Sequence, residues 1–312
     1  MSPDTYTIQE TFIEVGDGHT LYVQEWGDQR GMPVIFLHGG PGSGCADRHK
    51  QLFDPSQHRV IFFDQRGSGR SLPTGSRKNN TTDDLIKDME KLAKHFKLTS
   101  FTLVGGSWGA CLALAYGLIH PKRVKNMVLT GIFTGSHAEV DYFGGNDYAL
   151  SFPDVHEELL NATPKTHRNN PLQYHFQQAL GSDEQAAKQS AYLLSNLESR
   201  LLSLDDRFMP KAFDDFDPAS SLIEIHYMAN YCFIPDRLIL SQASKLTMPI
   251  WLIQGRYDMV CPGRTAYELH HSLPDSELIW TTSGHRSERE GWNVERSLLI
   301  QLAREDRRRR SG

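Results

Sequence analysis

The chain has few cysteines and no pattern among them that suggests cross-linking. Cys45, Cys111, Cys232 and Cys261 are the only four and include no C-x-x-C pair. That argues against a disulfide framework and for reduced thiols in the cytoplasm. No apolar run reaches the roughly 18 residues of a membrane span. The polar segment Met1 to Glu10 has no basic stretch leading into an apolar one, so no secretory leader is expected. Positive charge is not in excess either. Lys and Arg number 33 against 38 Asp and Glu, a formal net charge of −5, which disfavours nucleic acid as a partner. No H-E-x-x-H motif or Cys/His cluster with ligand spacing occurs, and the adjacent His270 and His271 cannot share one helix face, so no metal is expected.

What is present centres on Phe101 to Ala110. Four residues of strand character, Phe101 to Val104, run into Gly105-Gly106-Ser107-Trp108-Gly109, and Ala110 to Ile119 is almost wholly apolar, as in a buried helix. Strand, G-x-S-x-G and helix make a nucleophile elbow, a sharp turn that lifts a serine above the sheet edge. A serine held there in a strained backbone leaves no room for bulk two residues to either side, which suits Gly105 and Gly109.

The segments around it alternate. Tyr6 to Glu14 and His19 to Trp26 read as a hairpin, and Pro33 to Leu37 and Arg59 to Phe63 as inner strands. A helix opens at Thr82, with Leu85, Ile86, Met89, Leu92, Ala93 and Phe96 on one face. Further strands are expected at Val124 to Leu129, Pro249 to Gln254 and Glu277 to Trp280, with helices near Thr265 to Ser272 and Trp292 to Ala303. This rhythm predicts an α/β fold with a mostly parallel central sheet and helices on both faces. From about Gly135 to Lys245 it stops. That stretch holds helical segments, clearest over Glu184 to Leu204, broken at Pro153, Pro164, Pro171, Pro210, Pro218 and Pro235. The expected organisation is a discontinuous core, residues 1–134 and 246–312, with a helical cap at 135–245. The basic end, Arg304 to Gly312, reads as a frayed, solvated tail.

A serine needs a general base, and the base an orienting acid; in this fold they follow in the order Ser, Asp/Glu, His. Asp258 and His285 lie just past the ends of two late strands, where open α/β sheets gather their ligands. The catalytic expectation is therefore Ser107, Asp258 and His285. The oxyanion would be met by the backbone N–H of Trp108 and by that of Gly40, in His38-Gly-Gly-Pro-Gly42. The loop Asp64 to Ser71 contains G-x-G without the full dinucleotide fingerprint, so no cofactor is expected, and Asp64 and Arg66 are expected to brace it.

Several stretches together resemble the prolyl aminopeptidase (proline iminopeptidase) family of α/β-hydrolases. They are HGGPGSG at His38, DQRGSGRS at Asp64, NTTDDLIKDMEKL at Asn80, GGSWGA at Gly105, LALAYGLIHPKRV at Leu112, GIF at Gly131 and GRYDMVCP at Gly255. The resemblance implies a metal-free serine exopeptidase that removes N-terminal proline from small peptides or amides bearing a free amine. It also implies an amine anchor in the cap, for which Glu224, in Glu-Ile-His-Tyr-Met228, is the match. Asp236 is the one acidic residue in the run that follows, and Trp108 completes the expected substrate-binding set. The chain departs from the family in having Ala110 where serine is common. Two other readings stay open: an esterase, amidase or lactonase that uses the same triad without a free-amine requirement, and a non-catalytic ligand-binding protein on the same fold. Neither nucleic acid nor membrane is expected as a partner, and the sequence does not set the oligomeric state.

Overall fold

The computed structural model describes residues 6–142, 147–202, 204 and 212–311. Eight strands form one sheet: β1 (Thr7–Gly16), β2 (His19–Gly27), β3 (Met32–Leu37), β4 (His58–Phe63), β5 (Phe101–Ser107), β6 (Val124–Ile132), β7 (Ile250–Gly255) and β8 (Ser276–Thr281). Their order is β1-β2-β4-β3-β5-β6-β7-β8. β1 and β2 form the antiparallel hairpin and β2 runs antiparallel to β4, whereas the pairs from β4 to β8 are parallel. β3 lies between β4 and β5, so the winding reverses there and opens a crevice at the strands' carboxyl ends.

The helices, in chain order, are α1 (Thr82–His95), α2 (Trp108–Ile119), α3 (His137–Asp141), α4 (Pro153–Ala162), α5 (Pro171–Ala179), α6 (Glu184–Leu201), α7 (Ala219–Ala229), α8 (Leu238–Gln242), α9 (Arg264–Ser272) and α10 (Glu288–Ser311). Strand alternation explains how the sheet is covered. Ile35, Leu37, Leu103 and Leu129 face the core shared with α1, α2 and α9. Val34, Phe36, Val104 and Val128 face the opposite core, closed by Leu299, Leu302 and Ala303 of α10. α2 is buried on every side from Trp108 to Gly117, which its unbroken apolar sequence requires. α1 starts in a capping box, with the Thr81 hydroxyl accepting from Asp84 N and the Asp84 carboxylate accepting from Thr81 N.

Between β6 and β7 the described residues form α3 to α8 and no strand. α6 is capped by Asp183, whose carboxylate accepts from Gln185 N at 3.0 Å and Ala186 N at 3.1 Å. The helix ends at Leu201, three residues before the expected Leu204. Pro210, expected as a break, and residues 1–5 lie outside the described residues.

The basic tail differs from expectation. α10 is not frayed after Ala303 but continues to Ser311. Asp306 bonds Lys125 at 2.8 Å and Arg310 at 2.6 Å, and Arg310 Nη1 donates to the Arg30 carbonyl at 3.1 Å. These contacts tie the last turns to the start of β6 and to the turn before β3, and arginines near a helix C-terminus suit its dipole. Among the described residues, no helix is long and apolar enough to cross a membrane.

Candidate active site

At the end of β5 the backbone turns so sharply that Ser107 takes φ 56° and ψ −122°, a conformation a non-glycine residue adopts only when its surroundings force it. The flanking glycines show the constraint. A Cβ on Gly105 would lie 2.7 Å from the Gly109 carbonyl, and one on Gly109 would lie 2.1 Å from the Leu37 carbonyl oxygen. The elbow is thus wedged between its own helix and β3. Trp108 is the first residue of α2, so its backbone N–H has no partner within the helix. Gly40, at φ 104°, belongs to the loop after β3 and lines the same cavity as Ser107.

One side chain ties these two segments together. Gln65 Nε2 donates to the His38 carbonyl at 3.0 Å, Gln65 N donates to His38 Nε2 at 2.9 Å, and the Trp108 indole N–H donates to Gln65 Oε1 at 2.8 Å. The DQRGSG loop therefore braces both candidate oxyanion segments, and it is itself fixed. Arg66 grips the buried Asp88 of α1 at 2.6 and 2.8 Å, and Asp64 accepts from Arg70 and from Cys45 N.

Asp258 and His285 come together from the ends of β7 and β8. His285 Nδ1 is 2.8 Å from Asp258 Oδ2, while Oδ1 accepts from Val260 N at 2.9 Å and Cys261 N at 2.7 Å. These bonds fix the carboxylate and direct the other imidazole nitrogen, Nε2, away from it. Ser107 and His285 line one cleft, and among the described contacts no hydrogen bond yet joins them. Such bonds are often long in unliganded sites and tighten when substrate is present.

Burial pulls the His285 pKa down, but the Asp258 carboxylate and its hydrogen bond, helped by Glu198, outweigh that and raise it above the ordinary 6.5. A general base must be neutral, so the sign is clear: activity is lost as pH falls through the raised value. The acidic limb of kcat/KM should therefore have its midpoint above 6.5. A limb at or below 6.5, or a flat profile, would remove His285 from the role of base.

Above Ser107 a cavity of about 880 Å³, counted to its open mouth, is roofed by α4 to α7. Its walls are apolar, from Phe133, Val140, Leu172, Phe176, Leu194, Ile225 and Met228, with Glu139, Glu198 and Glu224 among them. Glu139 is engaged locally, accepting from the hydroxyls of Thr134 at 2.5 Å and Ser136 at 2.7 Å. Glu198 and Glu224 bond each other. Burial and the adjacent Glu198 push the Glu224 carboxyl well above its ordinary value, and burial also raises Glu198. A pair sharing one proton carries a single negative charge. Cys261 lines this cavity as a neutral thiol, because burial and then Asp258 raise its pKa well above the ordinary value.

Two expected substrate contacts are not brought to the cavity. Asp236 is exposed and accepts from His137 N at 3.0 Å, an anchor for the start of α3. The Trp108 side chain is fully buried, bonded to Gln65 and packed 4.8 Å from the Tyr227 ring, so only its backbone can face a substrate. Glu198 was missed. Its signal lies in its spacing: Leu194, Leu197 and Leu201 surround it on the inward face of α6, and an acidic residue amid that stripe departs from a solvated helix face.

The family model of the α/β-hydrolase fold matches residues 32–286. The chain is 38% identical to the proline iminopeptidase of Arabidopsis thaliana, over 91% of this chain and 76% of that one. It is also 38% identical to a probable proline iminopeptidase of Leptolyngbya boryana, over 87% and 86%.

The chain belongs to the proline iminopeptidase family of α/β hydrolases.

Membership makes it a hydrolase of the serine type. A carboxylesterase of Nitrososphaera gargenis superposes with a TM-score of 0.63 at 20% identity, covering 95% of this chain and all of that one, a likeness of fold alone. The proline iminopeptidase of Mycobacterium smegmatis gives 0.61 at 18% identity, covering 95% and 98%.

Proposed function

We propose that this enzyme is a serine aminopeptidase that releases N-terminal proline from small peptides and amides. One observation carries the reading: the buried Glu198 and Glu224 carboxyls line the same apolar cavity as Ser107, where sharing one proton leaves the pair a single negative charge. The charge matches one ammonium, and the apolar walls match a pyrrolidine ring. An amine seated on the pair leaves only the first carbonyl of the chain to reach the serine. Residues 135–245 act in this account as a cap over a core of residues 1–134 and 246–312.

The chemistry runs in two halves. His285 Nε2 takes the Ser107 proton as Oγ attacks the prolyl carbonyl, and the resulting oxyanion accepts from the N–H groups of Gly40 and Trp108. Asp258 holds the imidazole and stabilises its cation. As the tetrahedral intermediate collapses, the C–N bond breaks and His285 delivers its proton to the departing nitrogen. Water then attacks the prolyl ester by the same route, and proline leaves with Ser107 restored.

The carboxylate pair separates this reading from an esterase without amine requirement, because such an enzyme has no use for an anionic pair facing its serine. The decisive test compares free and N-acetylated prolyl substrates. Four free cysteines support a reducing, cytoplasmic setting, and the charge balance supports a role without nucleic acid or membrane.

A further inference from the structure

Ser107 lines two spaces, the cap cavity on one side and, on the other, a cleft that also contains His285. If the acyl half of the substrate fills the cap cavity, the departing half must lie toward His285, which protonates it. The short helix Asp47–Leu52, Thr130 of β6, and Trp292 and Glu295 of α10 also line this cleft. Glu295 is only 5% exposed, and among the described residues it has no hydrogen-bond or ion-pair partner. Its oxygens are not sealed from the cleft, so a carboxyl confined in this way marks a place where a ligand can supply a partner. Arg48 and Arg286 line the same cleft, so a cation is a poor candidate and a peptide ending in a carboxylate a good one.

We propose that this cleft holds the departing peptide and that Glu295 hydrogen-bonds one of its backbone amides. Burial pushes the Glu295 carboxyl up to about 8, so at neutral pH it is largely protonated. It then offers one O–H donor and one C=O acceptor, the complement of a peptide group's carbonyl and N–H. An arylamine leaving group offers no such pair. Glu295 thus sets a preference for peptides over aryl amides without touching the reacting atoms. The proposal rests on the aminopeptidase reading above.

The test measures kcat/KM for a proline-led tripeptide and a prolyl arylamide with wild type, Glu295→Gln and Glu295→Leu. Glu295→Leu should lose about tenfold on the tripeptide, the worth of one hydrogen bond, and under about twofold on the arylamide. Glu295→Gln, which can still pair with an amide, should stay within about threefold on both. Wild type alone supplies a second measurement: replacing the tripeptide's second peptide bond with an ester should cost about fivefold or more. Equal effects of Glu295→Leu on both substrates, or an ester analogue cleaved as fast as the tripeptide, would overturn the assignment. Failure of wild type to cleave the arylamide would instead overturn the aminopeptidase reading.

Discussion

Ser107→Ala should lower kcat on a prolyl arylamide by on the order of 10⁴- to 10⁶-fold while leaving peptide affinity nearly intact. The split follows from what the side chain touches. In the proposed mechanism Oγ forms the bond to carbon, whereas Glu198 and Glu224 hold the amine and the cap walls the ring, none of which the substitution alters. Alanine also fits the site sterically, although the backbone at φ 56° suits no residue with a Cβ and must still be held by the wedge of Gly105 and Gly109 between β3 and α2. Residual turnover over the uncatalysed rate would come from the N–H groups of Gly40 and Trp108. Saturating kinetics and calorimetric binding of a proline-led peptide measure the two halves. Retention of more than about 1% of kcat would mean that another nucleophile does the work, contrary to the role of Oγ.

The second large effect concerns the amine. Replacing both carboxyls, Glu198→Gln together with Glu224→Gln, should reduce kcat/KM on free-amine prolyl substrates by about a hundredfold to a thousandfold, the cost of burying an ammonium without its counter-charge. A simple acyl ester, which has no ammonium to seat, should change by no more than about threefold. Either single substitution leaves one carboxyl to carry the negative charge and should cost less. The double variant should lose more than the product of the single losses, because only it removes the last charge. If ester and free-amine substrates lost activity equally, the pair would be supporting the fold of the cap and not reading the substrate.

The sheet and the sharp turn at Ser107 were legible because local and global signals agree there. The G-x-S-x-G turn, the unbroken apolar run of α2 and the strand lengths each point to one geometry, and the positions of Asp258 and His285 follow from which strands precede them. The cap was less so. Helix periodicity located α6, but which of its acidic residues turns inward depends on how α6 packs on α7, a long-range contact that no local pattern states. Glu198 therefore went unseen beside Glu224, although its three leucine neighbours offered a clue. Asp236 misled for the same reason: its place in the chain suited an anchor, and only the fold reveals that it caps α3. The basic tail reads as a solvated end in sequence, and only the fold sets Asp306 between Lys125 and Arg310 to hold it as helix.

In the proposed mechanism, hydrolysis depends on a free amino terminus seated on a carboxylate pair. The most direct test is the kcat/KM of a prolyl arylamide beside that of its N-acetylated form, under identical conditions and with Ser107→Ala as the blank. A preference of at least about a hundredfold for the free amine, absent from the blank, is the expected result. Equal cleavage of the two would contradict it, leaving the serine machinery in place but removing the aminopeptidase.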